Sequence, residues 1–212
     1  MPSPTNHREH LIQAALRLFR RQGYAGTGLK EILEHSKAPK GSLYHYFPGG
    51  KEELGREALA AGGRAVERTL DGIFASTRTG DEFILRYMHG LADWLAQSGF
   101  RDGCPIATTV LELAPDSTAI SEAGKVAIDG WIERISQAYI RDGMQEQVAR
   151  EKALLTIAAT EGALIVARVQ RSTEPIRVAA LQLVGLSSVS SAGWGDETGA
   201  SSEAPVPEGS IP

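Results

Sequence analysis

Apolar residues recur every three to four positions along most of the chain, and no segment alternates apolar and polar with a period of two. That spacing lays one apolar stripe along each helix and leaves a sheet nothing to bury, so the chain reads as all-α. Leu11, Ile12, Ala15, Leu16 and Phe19 predict a helix over about 7–22, which Gly23 ends, after a polar stretch 1–6 expected to be disordered. Leu29, Ile32 and Leu33 predict a short second helix over about 29–35, with Thr27 as its N-cap. A third is expected to restart at Pro39, whose missing N–H costs nothing at a first helical position, with Leu43 and Phe47 turned inward. Further helices are predicted over about 51–74, through Ile84 to Leu95 between Gly80 and Gly99, over 106–113 behind Pro105 and stopped at Ala114-Pro115, and over 117–142. Gly62 and Gly63 fall inside the 51–74 helix, where they mark close packing or a bend. The last two, about 147–171 and 174–186, are apolar around more of their circumference than a surface helix needs, and a second copy of the chain is the expected cover. From about Ser187 the composition turns to Ser, Gly, Pro and Glu, a tail with nothing to pack but Trp194.

The short second and third helices, joined by a tight turn, form a pair that can present its latter member to DNA. With Leu43 and Phe47 inward, Lys40, Gly41, Ser42, Tyr44, His45 and Tyr46 lie on the outer and flanking faces. Lys40 can reach a guanine edge or a phosphate, Gly41 allows close backbone approach, and Ser42 can donate or accept at a base. The tips of Tyr44, His45 and Tyr46 suit phosphate oxygens, as does Lys51 at the start of the next helix, while Thr27 stands ahead of the pair. Tyrosines alone would more simply be a packed aromatic cluster; the whole stretch favours DNA.

Charge supports this only once it is divided. The net charge of −4 over 212 residues argues against nucleic acid, but residues 1–57 carry +3 and the remainder −7. A basic head on an acidic body suits a DNA-reading module joined to a domain with another task. One cysteine excludes an intramolecular disulfide framework and points to a reducing compartment. No basic stretch leads into an apolar core at the N-terminus, and the longest apolar-rich run, Ala153 to Ala167, is read as too short to span a bilayer. A soluble cytoplasmic protein with no membrane contact is expected.

Gly23, Tyr24, Thr27 and Ile32, then Lys40 to Phe47 as KGSLYHYF, then Lys51-Glu52-Glu53-Leu54, resemble the N-terminal domain of TetR-family transcriptional regulators. Pro48-Gly49-Gly50-Lys51, Gly103-Cys104-Pro105 and Glu161-Gly162-Ala163 further resemble the LmrA/YxaF subgroup. The resemblance, which runs to about Val184, implies a helix-turn-helix head over 1–50 and an effector-binding and dimerisation body over 51–186, and the composition leaves 187–212 as a tail. It also implies a homodimer, through the last two helices, that binds double-stranded operator DNA and is released by a small effector. Two positions depart from the pattern: Gly28 stands where a second hydroxyl is usual, and Lys37 where the turn commonly carries glycine. If Lys37 adopts a positive φ, it costs on the order of 1 kcal/mol.

Between the body helices an apolar cavity with a few polar handles is expected, from Tyr87, Trp94, Thr108, Glu112, Trp131 and Glu161, with Cys104 beside them. Each has a plainer reading as core aromatic or ion-paired acid. Cys104 stands at the expected N-cap of the helix behind Pro105, where backbone N–H groups favour a thiolate. That leaves a second reading, a helical enzyme or redox sensor acting through Cys104. The only histidine beyond residue 57 is His89, with no triad, phosphate loop or zinc-ligand spacing around it. His7 and His10, three apart, lack further ligands nearby, so neither a metal nor a cofactor is expected. DNA-binding regulation is the favoured reading.

Overall fold

The computed structural model describes residues 4–114 and 116–186. The expected tail over 187–212 with Trp194, the first three residues and the stop at Pro115 lie outside them. Among the described residues every element is a helix: α1 Pro4–Gln22, α2 Leu29–Ser36, α3 Ser42–Tyr46, α4 Gly50–Ser76, α5 Gly80–Gln97, α6 Pro105–Leu113, α7 Thr118–Arg141, α8 Glu146–Gln170 and α9 Glu174–Leu183.

Two apolar clusters divide the molecule. The head core gathers Leu11, Ile12, Leu16 and Phe19 of α1, Ile32 of α2, Leu43 and Phe47 of the α3 region, and Leu54, Ala58 and Ala61 of α4. The body core takes Leu59 and Leu70 of α4 and the inward stripes of α5 to α9, including Phe83, Met88, Trp131, Ile135 and Tyr139. α4 serves both, so the division between the cores runs along this helix and not ahead of it. Its two inner glycines explain how: a Cβ on Gly62 would press on Leu16 of α1 and Pro105 of α6, and one on Gly63 on Ala127 of α7. The Trp131 indole N–H also donates to the Gly63 carbonyl at 3.1 Å in a buried setting. Close packing, the first of the two roles expected for these glycines, is thereby accounted for.

Local chemistry sets most helix ends. The Thr79 hydroxyl accepts from the Glu82 N–H at 3.1 Å to start α5, and that of Ser117 accepts from the Ile120 N–H at 3.2 Å to start α7. Gly23, Gly99 and Gly143 leave their helices with φ of +80°, +66° and +88°.

Four expectations change. α1 begins at Pro4, inside the stretch read as a polar tail. Thr27 is not the cap of α2; Gly28 is, without a side-chain bond, while the Thr27 hydroxyl donates to the Gly23 carbonyl at 2.7 Å. α3 starts at Ser42 and not at Pro39, because the Ser42 N–H and hydroxyl both turn back onto the Pro39 carbonyl, at 2.9 and 2.6 Å, and close a tight turn there. Finally, α8 spans 25 residues with a mean hydropathy of 1.4 in its most apolar window, enough by length and composition to cross a membrane, unlike the shorter run read from the sequence. One face of it, with Ala149, Ala153, Thr156, Thr160 and Ala163, nevertheless packs into the bundle, and Arg150, Lys152, Glu161 and Arg168 interrupt its length.

Candidate nucleic-acid interface and internal cavity

α3 is only five residues long, too short to hold itself, so its placement comes from its neighbours. Leu43 and Phe47 are 1% and 0% exposed and anchor it to the head core. Pro48 forces Phe47 out of the helical region, to φ −134° and ψ 76°, which ends the helix at once. On the approach side, Lys37 is left-handed at φ 54°, and the Ser36 hydroxyl, donating to Leu33 and accepting from the Ala38 N–H, holds the turn.

The outward set emerges largely as expected. Lys40, Gly41, Tyr44 and His45 are exposed, Tyr44 at 63%. Ser42 and Tyr46 are half-buried; the Ser42 proton is engaged by Pro39, which leaves its oxygen to accept, and His45 meets the Tyr46 ring edge-on at 4.8 Å. Two members do not join the set. Thr27 is 1% exposed with its hydroxyl spent inside the head, so it offers no phosphate a donor. Lys51 turns back onto the head's own loop: its ammonium donates to the Tyr24 carbonyl at 2.7 Å and sits 4.1 Å from the centre of the Tyr24 ring. Burial pulls its pKa down and the nearby Glu112 opposes that.

The body holds a cavity lined by Val66 of α4, Tyr87, Leu91 and Trp94 of α5, Cys104 and Pro105, Trp131 of α7, and Thr160, Glu161 and Leu164 of α8. Its free volume is about 30 Å³, on the order of one or two waters, so a larger guest needs it to widen. Five expected residues meet here: Tyr87, Trp94, Cys104, Trp131 and Glu161. Burial raises the pKa of Glu161, and the bond it accepts from the Cys104 thiol only partly offsets this. Burial also raises the phenol of Tyr87, with Glu161 adding to it. Cys104 caps α6, its sulfur accepting from the Ala107 N–H at 3.5 Å, yet burial and then Glu161 push its thiol well up. This reverses the expected thiolate: desolvation and a neighbouring carboxyl outweigh the helix terminus.

Two expected members lie elsewhere. The Thr108 hydroxyl turns back to the Cys104 and Pro105 carbonyls at 3.0 and 3.3 Å. Glu112, at the far end of α6, accepts from the Tyr24 and Ala25 N–H groups of the head at 3.0 and 2.5 Å. Sequence reasoning missed a further pair: Arg20 meets Asp102 at 3.0 Å and lies over the Trp94 ring at 5.5 Å, linking α1 to the cavity wall. No spacing along the chain announces a contact between α1 and the loop ahead of α6.

Comparison with known proteins agrees with this geometry. Residues 11–58 match the family described as bacterial regulatory proteins, tetR family, and residues 82–182 the LmrA/YxaF-like C-terminal domain of transcriptional regulators. The chain belongs to the TetR family of DNA-binding transcriptional regulators and is not an enzyme. An uncharacterised HTH-type transcriptional regulator of Mycobacterium tuberculosis is 34% identical over 185 residues, 84% of this chain and 93% of the relative. The HTH-type transcriptional regulator LmrA of Bacillus subtilis is 30% identical over 169 residues, 80% and 90% of the two chains. The crystal structure of the reduced form of Escherichia coli NemR superimposes with a TM-score of 0.75 at 28% identity, over 85% of this chain and 96% of that one. The enzyme reading of Cys104 falls with this membership.

Proposed function

We propose that the chain is a dimeric repressor that leaves a palindromic operator when a small molecule enters the body cavity. The observation that carries this reading is the outward presentation of Tyr44 and His45 on a helix pinned by two buried side chains, with Lys40 exposed in the turn just ahead of it. The head over 1–50 would enter one major groove, and a second copy the next, about 34–36 Å away. The copies would pair through α8 and α9, where Val148, Leu155, Ile165, Val166 and Val169 stand exposed opposite the buried stripe of α8, and Val178 on α9. An apolar face of this kind needs a cover, and a two-fold axis supplies one from the same chain. The cavity over 51–186 would take the effector, whose effect on DNA binding is limited to its preference for the non-docking state. NemR, 30% identical over 189 residues, is named a transcriptional repressor, which favours repression over activation. Such a protein works where the DNA is, in the bacterial cytoplasm.

The test is selection of bound fragments from the source genome, then gel shift at fixed salt and sedimentation of the free protein. An inverted repeat and twice the 22.7 kDa chain mass are expected. A monomer at micromolar concentration, or no enriched sequence, would overturn the proposal.

A further inference from the structure

The turn after α1 has the form of an anion nest. Gln22 ends the right-handed helix, Gly23 follows at φ +80°, and the next two N–H groups, of Tyr24 and Ala25, point into one concavity. Its occupant comes from the body: one carboxylate oxygen of Glu112 takes the Tyr24 N–H and the other the Ala25 N–H, at 3.0 and 2.5 Å. Gly23 is needed twice, for its left-handed backbone and because a Cβ there would collide with that carboxylate. Lys51 closes the other side of the loop through the Tyr24 carbonyl and ring. A bidentate carboxylate on two backbone donors fixes direction as well as distance. The head is therefore gripped by a side chain 88 positions away, on a helix that belongs to neither head helix pair nor α4.

The other end of α6 meets the cavity. Cys104 and Pro105 line it, and the adjoining Gly103 N–H donates to the Arg20 carbonyl at 2.9 Å, two residues before the end of α1. The loop that leads into α6 thus bonds the last turn of α1, and the far end of α6 bonds the turn that follows it, while the near end borders the guest space.

The geometry points to Glu112 as a positioning residue, a latch that holds the head in its docking orientation and through which a guest displacing α6 releases it. This rests on the reading of the chain as a dimeric regulator with an effector cavity. The latch touches no DNA. It governs whether two heads of one dimer are aligned together, and leaves each head's own reading face intact. Opening it lowers affinity for a full operator and spares affinity for one half of it.

The experiment uses the full chain and its Glu112→Gln and Glu112→Ala variants on two duplexes, the selected inverted repeat and the same duplex with one half scrambled. Exchange of the Tyr24 and Ala25 amides is followed in parallel. Expected is a loss of about ten-fold or more on the full operator for Glu112→Ala and a smaller one for Glu112→Gln, which keeps one acceptor. Half-site affinity should stay within about two-fold and exchange at the two amides should rise. Equal losses on both duplexes would mean that the variants only damage the head, and unchanged full-operator affinity would mean that the latch positions nothing; either overturns the inference and leaves the regulator reading standing. If the unaltered chain bound no inverted repeat, the regulator reading would fail and the latch with it.

Discussion

The head and the body use polar chemistry in opposite directions. In the head, apolar anchors spaced four apart are buried so that Lys40, Tyr44 and His45 face outward, where water satisfies them and the proposed operator would meet them. In the body, Glu161, Cys104 and Tyr87 face inward among tryptophans, and no lysine or arginine lines the cavity with them. An outward set needs only a short rigid mount. An inward one needs five helices, α4 to α8, brought together from distant parts of the chain, and it stores an electrostatic cost that a guest can relieve or deepen.

The sharpest way to break the contrast is to remove the mount. Phe47→Ala should cost about 3–5 kcal/mol in the head core, abolishing operator binding while dimer mass and the unfolding of the body stay near those of the unaltered chain. If body and head unfold together, the shared helix α4 couples the two cores into one unit. Removing only the outward chemistry should do less. Lys40→Ala should weaken operator binding by about 1–3 kcal/mol, roughly ten-fold or more in Kd, with the melting temperature unchanged; an equal loss on every sequence, with the salt slope lowered by about one, would instead make Lys40 a phosphate contact.

The smallest effect belongs to the body and depends on pH. Because the folded pKa of Glu161 is raised, the fold binds its proton more tightly than the unfolded chain does. The stability it contributes is present below the ordinary carboxyl value of about 4.3 and fades as pH rises through the raised value. Glu161→Gln should therefore match the unaltered protein near pH 4 and exceed it at neutral pH in thermal unfolding. Parallel curves across that window would mean that the carboxyl is ionised and solvated in the fold.

The head was largely legible before the structure because its determinants are local. Leu43 and Phe47 inward and the outward Lys40 and Tyr44 follow from spacings of a few residues, and the left-handed Lys37 was raised only by its place where the family's turn commonly carries glycine. The errors there were local too: Thr27 and Pro39 are good cap and start residues by type, but Thr27 found the Gly23 carbonyl and Ser42 found that of Pro39. In the body the aromatic and acidic members of the cavity were named correctly, since an acid or a tryptophan on an apolar stripe is conspicuous. Glu112 has the same look on the same kind of helix and serves the head instead.

The amino-acid order by itself determined the helices, most of their ends, the outward face of the head and the family, because each rests on interactions within a few residues or on motifs short enough to read along the chain. Only the tertiary structure decided which acid enters the cavity and which grips the head, that burial and Glu161 push the thiol of Cys104 up rather than down, and that Lys51 turns inward. Those outcomes depend on burial and on neighbours tens of residues away, and periodicity along one strand of sequence carries no information about which far segment will supply the desolvation or the partner.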